Sequence, residues 1–146
     1  MRIGELARRA DCPVETVRYY EKERLLPAPR RSGANYRDYG PSHLERLAFI
    51  RRCRALDMSL PEIRALISAI ERPGADCGPV DRLLDEHIEH VATRIADLTA
   101  LKRELDAIRA HCAGQRPAAS CGIVETLSRP VPRRTPRPRS HVRGAK

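Results

Sequence analysis

The chain has 146 residues, a formal net charge of +9 and only 3% aromatic residues, with no Trp, one Phe and four Tyr. That is room for one modest domain, or a small domain with an extension, and too few aromatics for a large single core. No apolar run approaches the roughly eighteen residues of a membrane-spanning helix, so no membrane partner is expected.

The charge is unevenly placed: +6 over residues 1–55, −4 over 56–128 and +7 over 129–146. A basic first third points to a polyanion, of which nucleic acid is the common one. The N-terminus lacks the continuous apolar stretch of a secretory leader, so the expected location is the cytoplasm. Five cysteines there stay reduced, and an odd number makes no tidy disulfide framework. Thiols grouped around one element then read as metal ligands or redox groups.

Ile3 to Ala10 is a short helix pattern, with Ile3, Leu6 and Ala7 on one face. Asp11-Cys12-Pro13 breaks it, and Pro13 suits the first position of a second helix, Val14 to Arg24. Two short helices with a short break outline a helix-turn-helix. Pro27, Pro29 and Gly33 forbid regular helix in the next stretch. Tyr36-Arg37-Asp38-Tyr39 then alternates like a strand, so a small β-hairpin wing is expected, with Arg30, Arg31 and Arg37 projecting from it. A third helix runs from Pro41 to Leu56. Ser59 and Glu62 form a capping box that starts a fourth, which continues to about Ile70. Pro73-Gly74 ends it.

From Val80 to His111 there is no Gly and no Pro, and Leu84, Ile88, Val91, Ile95, Leu98, Leu101, Leu105 and Ile108 fall at gaps near four and three. That spacing lines one face of a long helix. Leu98-Leu101-Leu105 breaks strict alternation by one residue, which predicts a local change of supercoil. A narrow apolar seam on so long a helix needs a partner, and a second copy of the chain is the natural one.

Cysteine brackets this helix: Cys77 before it, Cys112 at its end, and Cys121 after a loop holding Gly114 and Pro117. If two copies pair head to tail, Cys77 of one approaches Cys112 and Cys121 of the other; a parallel pair leaves them a helix length apart. The three thiols could equally be small buried apolar groups. Cys12 and Cys53 have no thiol near them in sequence and read as structural. His87 and His90 share a helical face and read as solvated, with a supporting role at the thiol site left open. Ile123 to Leu127 reads as a short helix folding back over that site. Residues 129–146 hold four prolines and seven basic residues, the composition of a disordered basic tail.

Several spaced motifs together resemble the DNA-binding head of the MerR family of bacterial regulators. They are Ile3-Gly4-Glu5-Leu6-Ala7, Glu15-Thr16-Val17-Arg18-Tyr19-Tyr20-Glu21, Leu25-Leu26-Pro27 and Tyr36-Arg37-Asp38-Tyr39. Leu44-Glu45-Arg46-Leu47 with Phe49-Ile50, and Ser59-Leu60-Pro61-Glu62-Ile63, continue them in order. The likeness covers about residues 1–128. Cys77, the run Asp85-Glu86-His87-Ile88-Glu89-His90-Val91, Cys112 and Cys121 are similar to the cadmium- and lead-responsive branch. The Arg-rich tail has only His141, so the second, His-rich metal site of some cadmium sensors is not expected.

The resemblance implies a mainly α fold: a winged helix-turn-helix head (1–72), a hinge (73–79), an antiparallel coiled-coil dimerisation helix (80–111), a metal-binding loop with a short helix (112–128) and the tail (129–146). It implies that Thr16, Arg18 and Tyr19 of the recognition helix and Tyr36 and Arg37 of the wing meet double-stranded promoter DNA; Tyr20 is better read as a buried core aromatic supporting the wing. It implies a homodimer that holds Cd2+ or Pb2+ between Cys77 of one subunit and Cys112 and Cys121 of the other. Hg2+ and Zn2+ are the alternatives. The family's activators untwist a long promoter spacer for RNA polymerase. A thiol redox sensor closing a Cys112–Cys121 disulfide is the first rival and a metal-sequestering protein the second. An enzyme is least expected, because no nucleophile, base and orienting acid stand in a recognisable arrangement.

Overall fold

A computed structural model describes residues 1–131 except 75, 113 and 116. The chain divides into two compact units, Met1–Leu84 and the residues from Asp85 onward. No helix among the described residues is long and apolar enough to cross a membrane.

The first unit begins with α1 (Ile3–Arg9) and α2 (Val14–Lys22). A two-stranded antiparallel wing follows, β1 (Arg30–Arg31) and β2 (Arg37–Asp38), and then α3 (Pro41–Ala55) and α4 (Leu60–Ile70). Its core is a single cluster in which Leu6, Val17, Leu25, Leu47, Ile50 and Ile63 are fully buried. Tyr20 joins that cluster, as expected of a core aromatic. Pro13 differs slightly from expectation. It sits just before α2 in extended conformation, and its carbonyl accepts the N–H groups of Thr16 and Val17.

The first three helices share one ending. Asp11, Arg24 and Asp57 each take a left-handed φ between 50° and 58°. The next residue then donates back to a carbonyl five residues earlier: Cys12 to Ala7, Leu25 to Tyr20 and Met58 to Cys53. This satisfies carbonyls the helix leaves over and turns an apolar residue back onto the core. Glycine usually fills the left-handed position, so its replacement by Asp and Arg hid these endings from a reading of composition. The capping box of α4 forms as predicted: the Ser59 N–H donates to Glu62 Oε2 at 2.8 Å, and the Glu62 N–H to Ser59 Oγ at 3.3 Å.

The helix α5 (Gly78–Arg109) starts in the first unit and continues into the second. It begins two residues before the expected Val80, since Pro79 in a first turn needs no partner for an N–H. It ends two residues before the expected His111, because the N–H groups of His111 and Cys112 bond three residues back, to Ile108 and Arg109, and tighten the final turn. The apolar seam is exposed along Leu84, Ile88, Ile95, Leu98, Leu101 and Leu105. A second stripe is the covered one: His87 is buried, and Leu83, His90, Val91 and Arg94 are half-buried. This corrects the solvated reading of His87. Residues 83, 87, 90 and 94 recur at helical spacing, so one covered side shields them all.

A 3₁₀ turn (Ala118–Ser120) and α6 (Gly122–Leu127) close the second unit. The short helix expected over Ile123–Leu127 is therefore present, one residue longer. The disorder expected for 129–146 falls, from residue 132 onward, outside the described residues.

Candidate nucleic-acid interface and metal centre

In the first unit α2 and the wing flank two open clefts. Arg18 and Arg37 line both, so they form the ridge between them. The larger, about 850 Å³, adds Lys22, Arg24 and Glu21 over a wall of Leu26 and Pro27. The smaller, about 340 Å³, adds Arg2, Arg31, Asn35 and Tyr36. Of the residues expected at DNA, Arg18, Tyr19, Tyr36 and Arg37 are exposed and Thr16 is half-buried on α2.

The wing is pinned by groups far apart in sequence. Arg30 pairs with Asp38 and Arg31 with Arg37 across the strands. The tip turns at Asn35, whose left-handed φ is 61° and whose N–H donates to the Ser32 carbonyl at 2.8 Å. The Asn35 side chain accepts from Arg31 at 2.8 Å. At the base, the Tyr39 hydroxyl donates to Glu21 Oε1 at 2.8 Å, joining the wing to α2. Burial, and then that carboxylate, push the Tyr39 phenol well above its usual range, so it stays a donor. The Met1 ammonium donates to Asp38 Oδ1 at 2.6 Å and to the Tyr39 carbonyl at 2.8 Å. That bond holds the Asp38 carboxyl below the usual carboxylate range.

Arginines elsewhere in this unit act as crosslinks. Arg46 bonds Glu71 at 2.9 Å and the Leu25 carbonyl at 3.4 Å, and Arg64 bonds the Glu23 carbonyl at 2.8 Å. Arg51 holds the helix-turn-helix break through the Ala10 carbonyl and Asp11. Cys12 and Cys53 lie here too, and burial pushes both thiols up, which suits their structural reading.

Cys77 is exposed, one residue ahead of α5. In the second unit Cys112 is exposed and Cys121 half-buried. Gly122 lies so close to His111 that a Cβ there would strike the His111 carbonyl oxygen and crowd its side chain. His111 and Gly122 are the immediate neighbours of Cys112 and Cys121, so this closure brings the two thiols to one end of the helix. His111 itself is held by its ring, whose Nδ1 donates to the Ala107 carbonyl at 2.8 Å. By donor chemistry, the two thiols suit a soft or borderline divalent ion.

Sequence reasoning missed Arg2. Its guanidinium stacks on Tyr36, 3.9 Å from the ring centroid. The partners are thirty-four residues apart in the chain, and no local spacing links them.

Residues 1–70 match the MerR HTH family regulatory protein model, and residues 44–108 match the MerR DNA-binding model. The crystal structure of the transcription regulator PbrR691 from Ralstonia metallidurans in complex with lead(II) is 52% identical. It aligns over 88% of this chain and 99% of that one, with a TM-score of 0.81. The MerR regulator of Bacillus megaterium in complex with mercury(II) is 32% identical over 88% of this chain and all of that one, with a TM-score of 0.70. The ZntR homolog of Haemophilus influenzae, an HTH-type transcriptional regulator, is 45% identical over 109 residues, 75% of this chain and 81% of that protein. With its winged head, its long helix and these relatives, the chain belongs to the MerR family of helix-turn-helix transcriptional regulators and is not an enzyme.

Proposed function

We propose that this regulator is a cytoplasmic homodimer that senses lead or cadmium and activates heavy-metal resistance genes by distorting promoter DNA. One observation carries the reading: an exposed apolar seam on a 32-residue helix whose two ends carry the cysteines. At ~1.5 Å per residue such a helix separates its ends by about 48 Å. One chain cannot bring both ends to one ion, whereas a second copy running the other way supplies the missing thiol. Cys77 of one subunit then joins Cys112 and Cys121 of the other. Three thiolates leave a net charge of −1 on a divalent ion, which a covered site tolerates better than −2.

At the head, Thr16, Arg18, Tyr19, Tyr36 and Arg37 hold promoter phosphates and bases, mostly fixing register. Two heads per dimer imply a near-palindromic operator. Pro73-Gly74 lies between α4 and Cys77 and is where the backbone can absorb a change of state. The bound ion supplies differential affinity for one of two dimer states. The heads in that state bend and untwist a long spacer so that RNA polymerase engages both of its elements.

Lead is favoured by the 52% identity to a lead-bound regulator. Mercury is the second reading, favoured by the mercury-bound relative at 32% identity. Selection of DNA by the full chain gives the operator. Run-off transcription from a long-spacer promoter containing it then tests the rest, with Pb2+, Cd2+, Hg2+ and Zn2+ added singly. Transcript rises most with lead or cadmium. No rise with any of the four ends the proposal, and a rise with mercury or zinc alone moves the assignment to that ion.

A further inference from the structure

We infer that Arg2, at the start of α1, is a DNA phosphate contact, aimed by its stack on Tyr36 into a four-arginine pocket with no carboxylate in its lining. This rests on the DNA-binding reading and adds a residue to it.

The pocket is the smaller of the two clefts, about 340 Å³, where Arg2, Arg18, Arg31 and Arg37 converge beside Asn35 and Tyr36. Four like charges around one concavity repel unless an anion enters. The contrast with three crosslinking arginines of the head is chemical. Arg46, Arg51 and Arg64 each have a carboxylate partner within 4.0 Å: Glu71, Asp11 and Glu23. Among the described residues none of the four pocket arginines forms such a salt bridge. Asp38, on the adjoining strand, is engaged by the Met1 ammonium at 2.6 Å and lies near enough to Arg2 and Arg30 to feel their charge as well. Arg31 also sits opposite Arg37 in the strand register, a pairing that costs stability unless a polyanion repays it. A phosphodiester is the anion this face would meet.

The backbone explains why Arg2 is held there. Its carbonyl accepts the Leu6 N–H at 3.0 Å, opening α1. On its other side the Met1 carbonyl accepts the Tyr39 N–H at 2.9 Å, which ties the chain to the end of the wing. Arg2 is thus braced by a helix and by the wing, and Tyr36 supplies a flat platform for the guanidinium. A braced guanidinium loses little freedom when it meets phosphate.

The test compares R2Q and R2K in the full chain, binding the selected operator and an unrelated duplex across a salt series. A phosphate contact contributes about 0.9 to the slope of log affinity against log salt, so about 1.8 per dimer. R2K keeps the charge and retains nearly the wild-type slope, while R2Q loses about 1.8 and weakens both duplexes several-fold alike. In a Y36L background the R2Q penalty shrinks, because the platform has gone. Equal slopes for R2Q and R2K overturn the contact even if both bind more weakly, since a fold defect does not follow charge. An unchanged R2Q penalty in Y36L overturns the aiming by the stack. A wild-type chain that binds no duplex removes the DNA reading itself, a different failure.

Discussion

The head and the long helix hold similar apolar side chains and treat them in opposite ways. Leu6, Leu47, Ile50 and Ile63 are wholly covered inside one chain, because α1, α2, α3 and α4 surround a common centre. Ile88, Ile95, Leu101 and Leu105 are 46–61% exposed on α5. A helix has one apolar stripe and cannot cover it alone. The head therefore carries its core within one molecule, while the seam on α5 stays uncovered in a single chain, and under the proposed pairing its burial depends on protomer concentration. Under the proposed arrangement the three thiols are split one and two between subunits, which a self-contained head could not do.

The sharpest way to break that comparison is to remove a thiol. Cys112→Ser should lower lead or cadmium affinity by more than about 100-fold, beyond the 10–100-fold typical of losing a supporting partner. A competition titration followed by thiolate–metal absorbance reads this, with operator binding by the head unchanged. Affinity within a few-fold of wild type would remove Cys112 from the ligand set. For the wild-type chain, affinity should also climb with pH, because each thiol must shed its proton to bind.

Next in size is the seam. Leu101→Asp puts a charge on the exposed stripe and should turn the dimer into a monomer in sedimentation at micromolar concentration. The head should unfold at its usual temperature. A dimer of unchanged affinity would mean that the seam is not the interface.

Leu47→Ala addresses the other half of the comparison. A fully buried leucine replaced by alanine costs about 2–5 kcal/mol. The loss should be the same at every protein concentration, unlike a change on α5, and denaturant melts over a dilution series separate the two.

The smallest effect is at the wing. Because the folded Asp38 carboxyl sits below its ordinary value, it contributes stability above about pH 4 that is lost as pH falls through the folded value. Asp38→Asn should leave stability near neutrality only slightly lower and flatten its fall below about pH 4. An acid melt of both chains checks this; parallel curves would show that the Met1–Asp38 bond has no linkage to folding.

Much of this was readable in advance because its causes are local. Ser59 and Glu62 announced the start of α4 within a single turn, and Pro73-Gly74 announced its end. The gaps between Leu84 and Ile108 announced α5 over its length, and the motif order announced the family. The long helix shifted by two residues at each end, since Pro79 and the tightened final turn act at the margin where spacing carries no signal. The buried state of His87 was not readable either. Its neighbours Glu86, Ile88 and Glu89 are exposed, and nothing in that run says which side is covered.

By itself the amino-acid order determined the helices, the wing, the uneven charge and the cysteines bracketing α5, because periodicity, caps and Gly/Pro breaks act over a turn or two of chain. Only the tertiary structure decided that Arg2 lies on Tyr36, that Glu21 holds Tyr39, and that Gly122 closes against His111. It also separated the arginines that crosslink the head from those left facing the pocket. Those pairings join residues eleven to forty-one positions apart, and which distant groups meet is set by how whole elements pack, not by the spacing between them.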